Sequence, residues 1–142
     1  MRNICIIPAR SGSKRIKNKN IKKFFGKPIF YWPIKAAKQS KLFNKIIVSS
    51  DSKKILNLAK KFGADTIKRS KKLSGDKTSV HTVIRNTVLM LKKQNENFDF
   101  VCYMLPTSVF SRPKDLKKTY SIIKKNRSTF VISLTKYPFP PQ

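Results

Sequence analysis

Residues 3–20 read NICIIPARSGSKRIKNKN, and this stretch decides the fold. A nearly continuous apolar run over 3–8 stops at a loop that carries Ser11, Gly12 and Ser13 among cations. A short run with no polar alternation suits a strand buried on both faces, as in a parallel sheet. The loop after such a strand lies at the carboxyl end of the sheet, where ligands of open α/β folds collect. Arg10, Lys14, Arg15, Lys17 and Lys19 concentrate positive charge there. Backbone N–H groups around Gly12 can meet phosphate oxygens, and the cations can neutralise them. No Gly-Lys-Ser/Thr stands before a helix and no G-x-G-x-x-G is present, so this is neither of the common phosphate-loop motifs. Read from the residues alone, it is a polyphosphate-binding loop or a solvated basic loop.

Outward from that loop, strand-like and helix-like blocks alternate. Residues 28–39 (PIFYWPIKAAKQ) predict a helix with Pro28 at its first position, and Pro33 falls within or near the first turn. Residues 45–49 predict a second strand. A helix follows over 53–62, capped by Ser50 or Asp51 and ended by Gly63. A third strand is expected near 64–68, and a helix over 79–94 with Val80, Val83, Ile84, Val88 and Leu91 on one face. FVCYML at 100–105 predicts a fourth strand, Pro113 opens a helix to about 125, and FVISL at 130–134 predicts a fifth strand. Such alternation predicts an open, mostly parallel, doubly wound α/β sheet with helices on both faces. Residues 1–142 read as one domain.

Composition narrows the function classes. No apolar run approaches the roughly 18 residues needed to span a bilayer, and no leader pattern is evident. Cys5 and Cys102 sit inside apolar blocks without framework spacing, which fits buried thiols in a reducing cytoplasm. The formal charge is +27, yet only seven of the 33 basic residues are Arg. Bidentate reading of phosphates and bases favours Arg, so scattered Lys describes a solvated surface and argues against a specific nucleic-acid partner.

The stretch IIPARSGSKRIKNKNIKKFFGKPIF resembles the opening signature of the CMP-sugar synthetases, cytidylyltransferases that activate sialic, pseudaminic and legionaminic acids and KDO. The matching positions are Ala9, Arg10, Gly12, Ser13, Lys14, Lys19, Asn20, Gly26, Lys27 and Pro28. The family's usual Pro before Lys-Asn is replaced, with Lys17-Asn18 in its place. IIVSSD at 46–51, IKRSKKLSGDKTS at 67–79 and LPTS at 105–108 extend the likeness. FDFVCYMLPTSVF at 98–110 and SLTKYPFP at 133–140 look closest to the pseudaminic acid branch. The resemblance implies a fold of the nucleotide-diphospho-sugar transferase type and transfer of CMP from CTP to the anomeric hydroxyl of a nonulosonic sugar acid. It implies that Ala9, Arg10, Gly12, Ser13, Lys14, Lys19, Asn20, Arg69 and Ser108 bind CTP, with Lys19 and Arg10 catalytic. It also implies Mg²⁺, held mainly by acids beyond residue 142, and a homodimer of the full-length protein.

Other residues carry plainer expectations. Asp51 reads as a helix cap, Asp76 as a turn residue with a lesser nucleotide role, His81 as a helix residue and Arg112 as a surface charge. Phe24, Phe25, Phe30, Tyr31 and Trp32 read as core around the first helix. The six carboxylates form no paired motif, and by resemblance residue 142 falls mid-domain, so the chain is expected to be incomplete. The reading from another class is a non-catalytic, truncated module that binds nucleotides or nucleic acid.

Overall fold

Asn3–Pro8 forms β1, and every residue of it is buried. In this computed structural model, residues 1–126 and 130–134 are described. A short antiparallel ribbon follows, β2 (Lys23–Phe24) with β3 (Lys27–Pro28), and then helix α1 (Tyr31–Ser40). The remaining elements are β4 (Lys45–Ser50), α2 (Lys53–Lys61), β5 (Asp65–Lys68), α3 (Val80–Lys93), β6 (Phe100–Tyr103) and α4 (Pro113–Asn126). β5, β4, β1 and β6 form one sheet in that order, with every neighbouring pair parallel.

Strand alternation divides the core in two. Cys5 and Ile7 pack with Val48, Phe30, Ile34, Ile55 and Ala59 beneath α1 and α2. Ile4 and Ile6 point to the opposite face and pack with Ile47 and Leu91 of α3. Both faces of β1 are therefore covered by helices, which is why its sequence shows no polar alternation. Strand order reverses beside β1: the chain first grows toward β4 and β5, then returns to place β6 on the other side. That reversal opens a crevice at the carboxyl ends of β1 and β6.

Several expectations change. Pro28 belongs to β3 and α1 begins at Tyr31, because the Gly26 turn (φ 74°) folds the chain into a ribbon first. Pro33 does fall in the first turn of α1, where a missing N–H costs little. Ser52, rather than Ser50 or Asp51, caps α2, its hydroxyl accepting from the Ile55 N–H at 3.4 Å. Gly63 ends that helix with φ 75°, as its placement predicted. On α3, Val83 and Leu91 are buried while Val80 is only partly so. Phe30 is buried, but Phe25 is exposed at the ribbon turn with φ 46°. Residues 130–134 carry no strand: Phe130, Ile132 and Leu134 are 72%, 58% and 84% exposed. The apolar run there has no sheet partner among the described residues, and β-propensity without one does not make a strand. The Tyr-Pro-aromatic-Pro run from Tyr137 lies outside the described residues.

Candidate functional site

The loop from Ala9 to Asn20 is fastened at both ends. Its start continues the β1–β4 ladder, with the Ala9 N–H donating to the Ser49 carbonyl at 2.9 Å. Its end is tied back by Asn20, whose side-chain amide donates to the Arg10 carbonyl at 2.8 Å. Asn20 is buried at the middle of a 3-10 turn, Lys19–Ile21. Asn18 enters that turn in the left-handed region, φ 55° and ψ 30°, and its carbonyl accepts from the Ile21 and Lys22 N–H groups. Proline cannot adopt that φ. Asn is among the residues that tolerate it.

Between those ties, the loop rests on the end of β4. The Ser11 N–H and hydroxyl both donate to Asp51, at 2.9 and 2.6 Å. Partial burial pushes the Asp51 carboxyl up, but the Ser11 bonds and the Arg69 charge outweigh it and hold the carboxyl below its ordinary range. Sequence reading missed this clamp. Its signal was an acid at the end of one strand beside hydroxyls in the loop after the neighbouring strand.

Cations converge above the clamp. Arg69 leaves β5 with its N–H on the Ser50 carbonyl and is only 7% exposed. Burial lowers its pKa, the Asp51 charge opposes that, and nearby Arg10 adds to it. Arg10 and Lys14 both reach Asp76, with Nη1–Oδ1 at 2.8 Å and Nζ–Oδ2 at 2.6 Å. Lys14 and then Arg10 depress the Asp76 carboxyl below its ordinary value. Among the described residues, four buried side-chain polar atoms lack a partner, and three belong here: Asn20 Oδ1, Arg69 Nε and Ser49 Oγ. Buried groups left in that state mark a place where something polar is expected to bind. A cavity of about 100 Å³ that includes Asn20, but neither Arg69 nor Ser49, is lined also by Arg10, Ser11, Asn18, Ser52 and Lys54.

Of the sequence-predicted residues, Ala9, Arg10, Lys14, Asn20 and Arg69 are joined to this cluster. Gly12 is exposed, and a Cβ there would meet nothing within 4 Å, so neither strain nor crowding requires glycine. Ser13 and Lys19 are partly buried within the same loop, with no side-chain hydrogen bond among the described residues. Ser108 lies after β6 in a turn closed by its own N–H on the Leu105 carbonyl at 3.0 Å, and no hydrogen bond ties it to the cluster. A wider groove of about 740 Å³, which includes Lys45, Asp65, Met90 and Glu96, opens at the amino ends of β4 and β5, away from all these residues. The arrangement as built can draw in a polyanion at a loop tied down at Ser11 and Asn20.

Residues 4–138 match the family described as Cytidylyltransferase. The chain belongs to that family. It is 39% identical, over its whole length, to the pseudaminic acid cytidylyltransferase of Campylobacter jejuni and spans 62% of that protein. It is 36% identical over 99% of its length to the CMP-N,N'-diacetyllegionaminic acid synthase of Legionella pneumophila, of which it spans 61%. Among solved structures, a CMP:2-keto-3-deoxy-manno-octonic acid synthetase complexed with CTP shares the fold. Its TM-score is 0.74 at 20% identity, over 90% of this chain and 49% of that one. The chain thus spans about three fifths of the curated relatives it matches.

The family membership raises the question of a metal. Among the described residues no group of three or more His, Cys, Asp or Glu side chains could hold one. Both carboxylates at the loop are engaged, Asp51 by Ser11 and Asp76 by Arg10 and Lys14. These residues alone do not fit a magnesium site. Among the described residues, no helix is long and apolar enough to cross a membrane.

Proposed function

We propose that the protein transfers CMP from CTP to the anomeric hydroxyl of a nonulosonic sugar acid, with pseudaminic acid the favoured acceptor. The observation that carries this reading is the likeness to a pseudaminic acid cytidylyltransferase, 39% identical across the entire chain. The cation cluster at the strand-order reversal supports the triphosphate half of it.

In this reading the anomeric oxygen bonds to the α-phosphorus, and the bond from that phosphorus to the bridging oxygen breaks. The electron pair leaves with pyrophosphate, and the hydroxyl proton passes to solvent. Arg10, Ser13, Lys14, Lys19 and Asn20 hold the triphosphate, helped by the backbone at Ala9 and Gly12. Lys19 and Arg10 offset the charge that grows on pyrophosphate as it leaves, an effect larger in the transition state than in the ground state. Arg69 and Ser108 would also bind CTP, near the nucleotide and the sugar. Cytoplasmic location, Mg²⁺ dependence and a homodimer belong to the same proposal.

Legionaminic acid is the second acceptor to weigh, given the 36% identity to its synthase. The test joins this chain to the remaining length of the Campylobacter jejuni relative. It then measures CMP-sugar formation from CTP with pseudaminic, legionaminic and sialic acids and KDO. Pseudaminic acid is expected to turn over fastest. Faster transfer to another acceptor would reassign the substrate, and no transfer to any would remove the reading.

A further inference from the structure

Asp76 holds the two cations that the loop would offer to phosphate. Its two carboxylate oxygens sit on Arg10 Nη1 and Lys14 Nζ at 2.8 and 2.6 Å, which is how two oxygens of a phosphate would engage the same pair. No other side-chain hydrogen bond or ion pair of Asp76 is present among the described residues. Its segment is held without it: the Leu73 N–H donates to Ser70 Oγ, Ser74 Oγ to the Ser70 carbonyl, and Thr78 Oγ1 to the Lys72 carbonyl. Ser79 then caps α3 by accepting from the Thr82 N–H. The Asp76 side chain can therefore turn away without unravelling its surroundings.

We infer that Asp76 is a built-in competitor that occupies the anion position between Arg10 and Lys14 until a polyphosphate displaces it. The inference rests on the triphosphate reading of the loop given above. The side chains of Asp76, Arg10 and Lys14 are 42%, 35% and 85% exposed, and exposed ion pairs are weak. A polyphosphate carrying several charges can thus replace a single carboxylate. The exchange has a use. It keeps two cations satisfied and aligned in the empty loop, and it sets a threshold that singly charged anions do not meet. Asp51 plays no such part, because its oxygens face Ser11 donors and not a cation at hydrogen-bond distance.

Calorimetric titration with inorganic pyrophosphate, and separately with CTP, tests this on the 142-residue chain and its Asp76→Asn variant. Asp65→Asn, at the amino end of β5, makes the same change in net charge away from the loop. Asp76→Asn is expected to tighten pyrophosphate and CTP by at least about 3-fold, the scale of two weak exposed ion pairs, while Asp65→Asn leaves both unchanged. A damaged fold loosens binding, so a gain in affinity cannot arise from damage. Equal or weaker binding by Asp76→Asn, or an equal gain in Asp65→Asn, overturns the competitor role and leaves the phosphate reading standing. Absence of pyrophosphate and CTP binding in every variant overturns the phosphate reading itself, and the competitor role with it.

Discussion

At the scale of single residues, the loop's shape depends on Asp51, which holds Ser11, and on Asn18, whose carbonyl accepts from two N–H groups. Asp51 clamps Ser11 with its carboxyl held below the ordinary value of 3.8. A depressed carboxyl contributes stability that is present above the unfolded value and lost as pH falls through the folded one. The stability difference between the wild type and Asp51→Asn should therefore be constant above 3.8 and shrink below it. Thermal melts across that range check this; a gap that widens in acid would contradict the clamp. Asn18 is the second position. Proline cannot take the left-handed φ of 55°, so Asn18→Pro has to rebuild the turn and should cost more than about 1 kcal/mol. Asn18→Gly should keep the wild-type stability in urea denaturation. Equal stability of Asn18→Pro and the wild type would mean that the turn is not built as described.

At the scale of elements, local signals decided some boundaries and tertiary contacts decided others. The helix over 53–61 was legible from its pattern and its terminal Gly63, but its cap was read as Ser50 or Asp51 and is the next residue, Ser52. Only the geometry separates them: Ser50 is buried in β4, Asp51 turns to Ser11, and Ser52 accepts from the helix. Ser52→Ala should cost about 1 kcal/mol in urea denaturation, and Ser52→Asp should restore most of it. A neutral Ser52→Ala would return the cap to another residue. β1 and β4 were legible because burial leaves unbroken apolar runs, whereas β5 and β6 are only partly buried. The ribbon at Lys23–Pro28 was not legible, since two-residue strands have no periodicity and Pro28 served a helix start equally well. The candidate site divides similarly. Arg10, Lys14 and Asn20 stand in one readable loop, whereas the Ser11–Asp51 and Arg10–Asp76 contacts join residues 40 and 66 positions apart. Spacing along the chain says nothing of such pairs until strand order brings them together.

At the scale of the whole molecule, a charge of +27 attracts polyanions of every kind, so attraction alone does not identify the ligand. Duplex DNA binding through scattered lysines should lose affinity with a log–log salt slope of about −0.9 per phosphate contact, and should vanish near physiological salt. Submicromolar, sequence-specific binding under those conditions would favour a nucleic-acid module instead. The proposed nucleotide site would behave differently: Asn20, Arg69 and Ser49 each hold a buried polar side-chain atom with no partner among the described residues. The most direct measurement is calorimetric titration of the 142-residue chain with CTP, UTP, ATP and GTP at physiological salt. CTP is expected to bind at least about 10-fold more tightly than ATP or GTP, the worth of one buried hydrogen-bonding difference. Equal affinity for all four nucleotides would contradict a cytidine triphosphate site and leave only a basic surface.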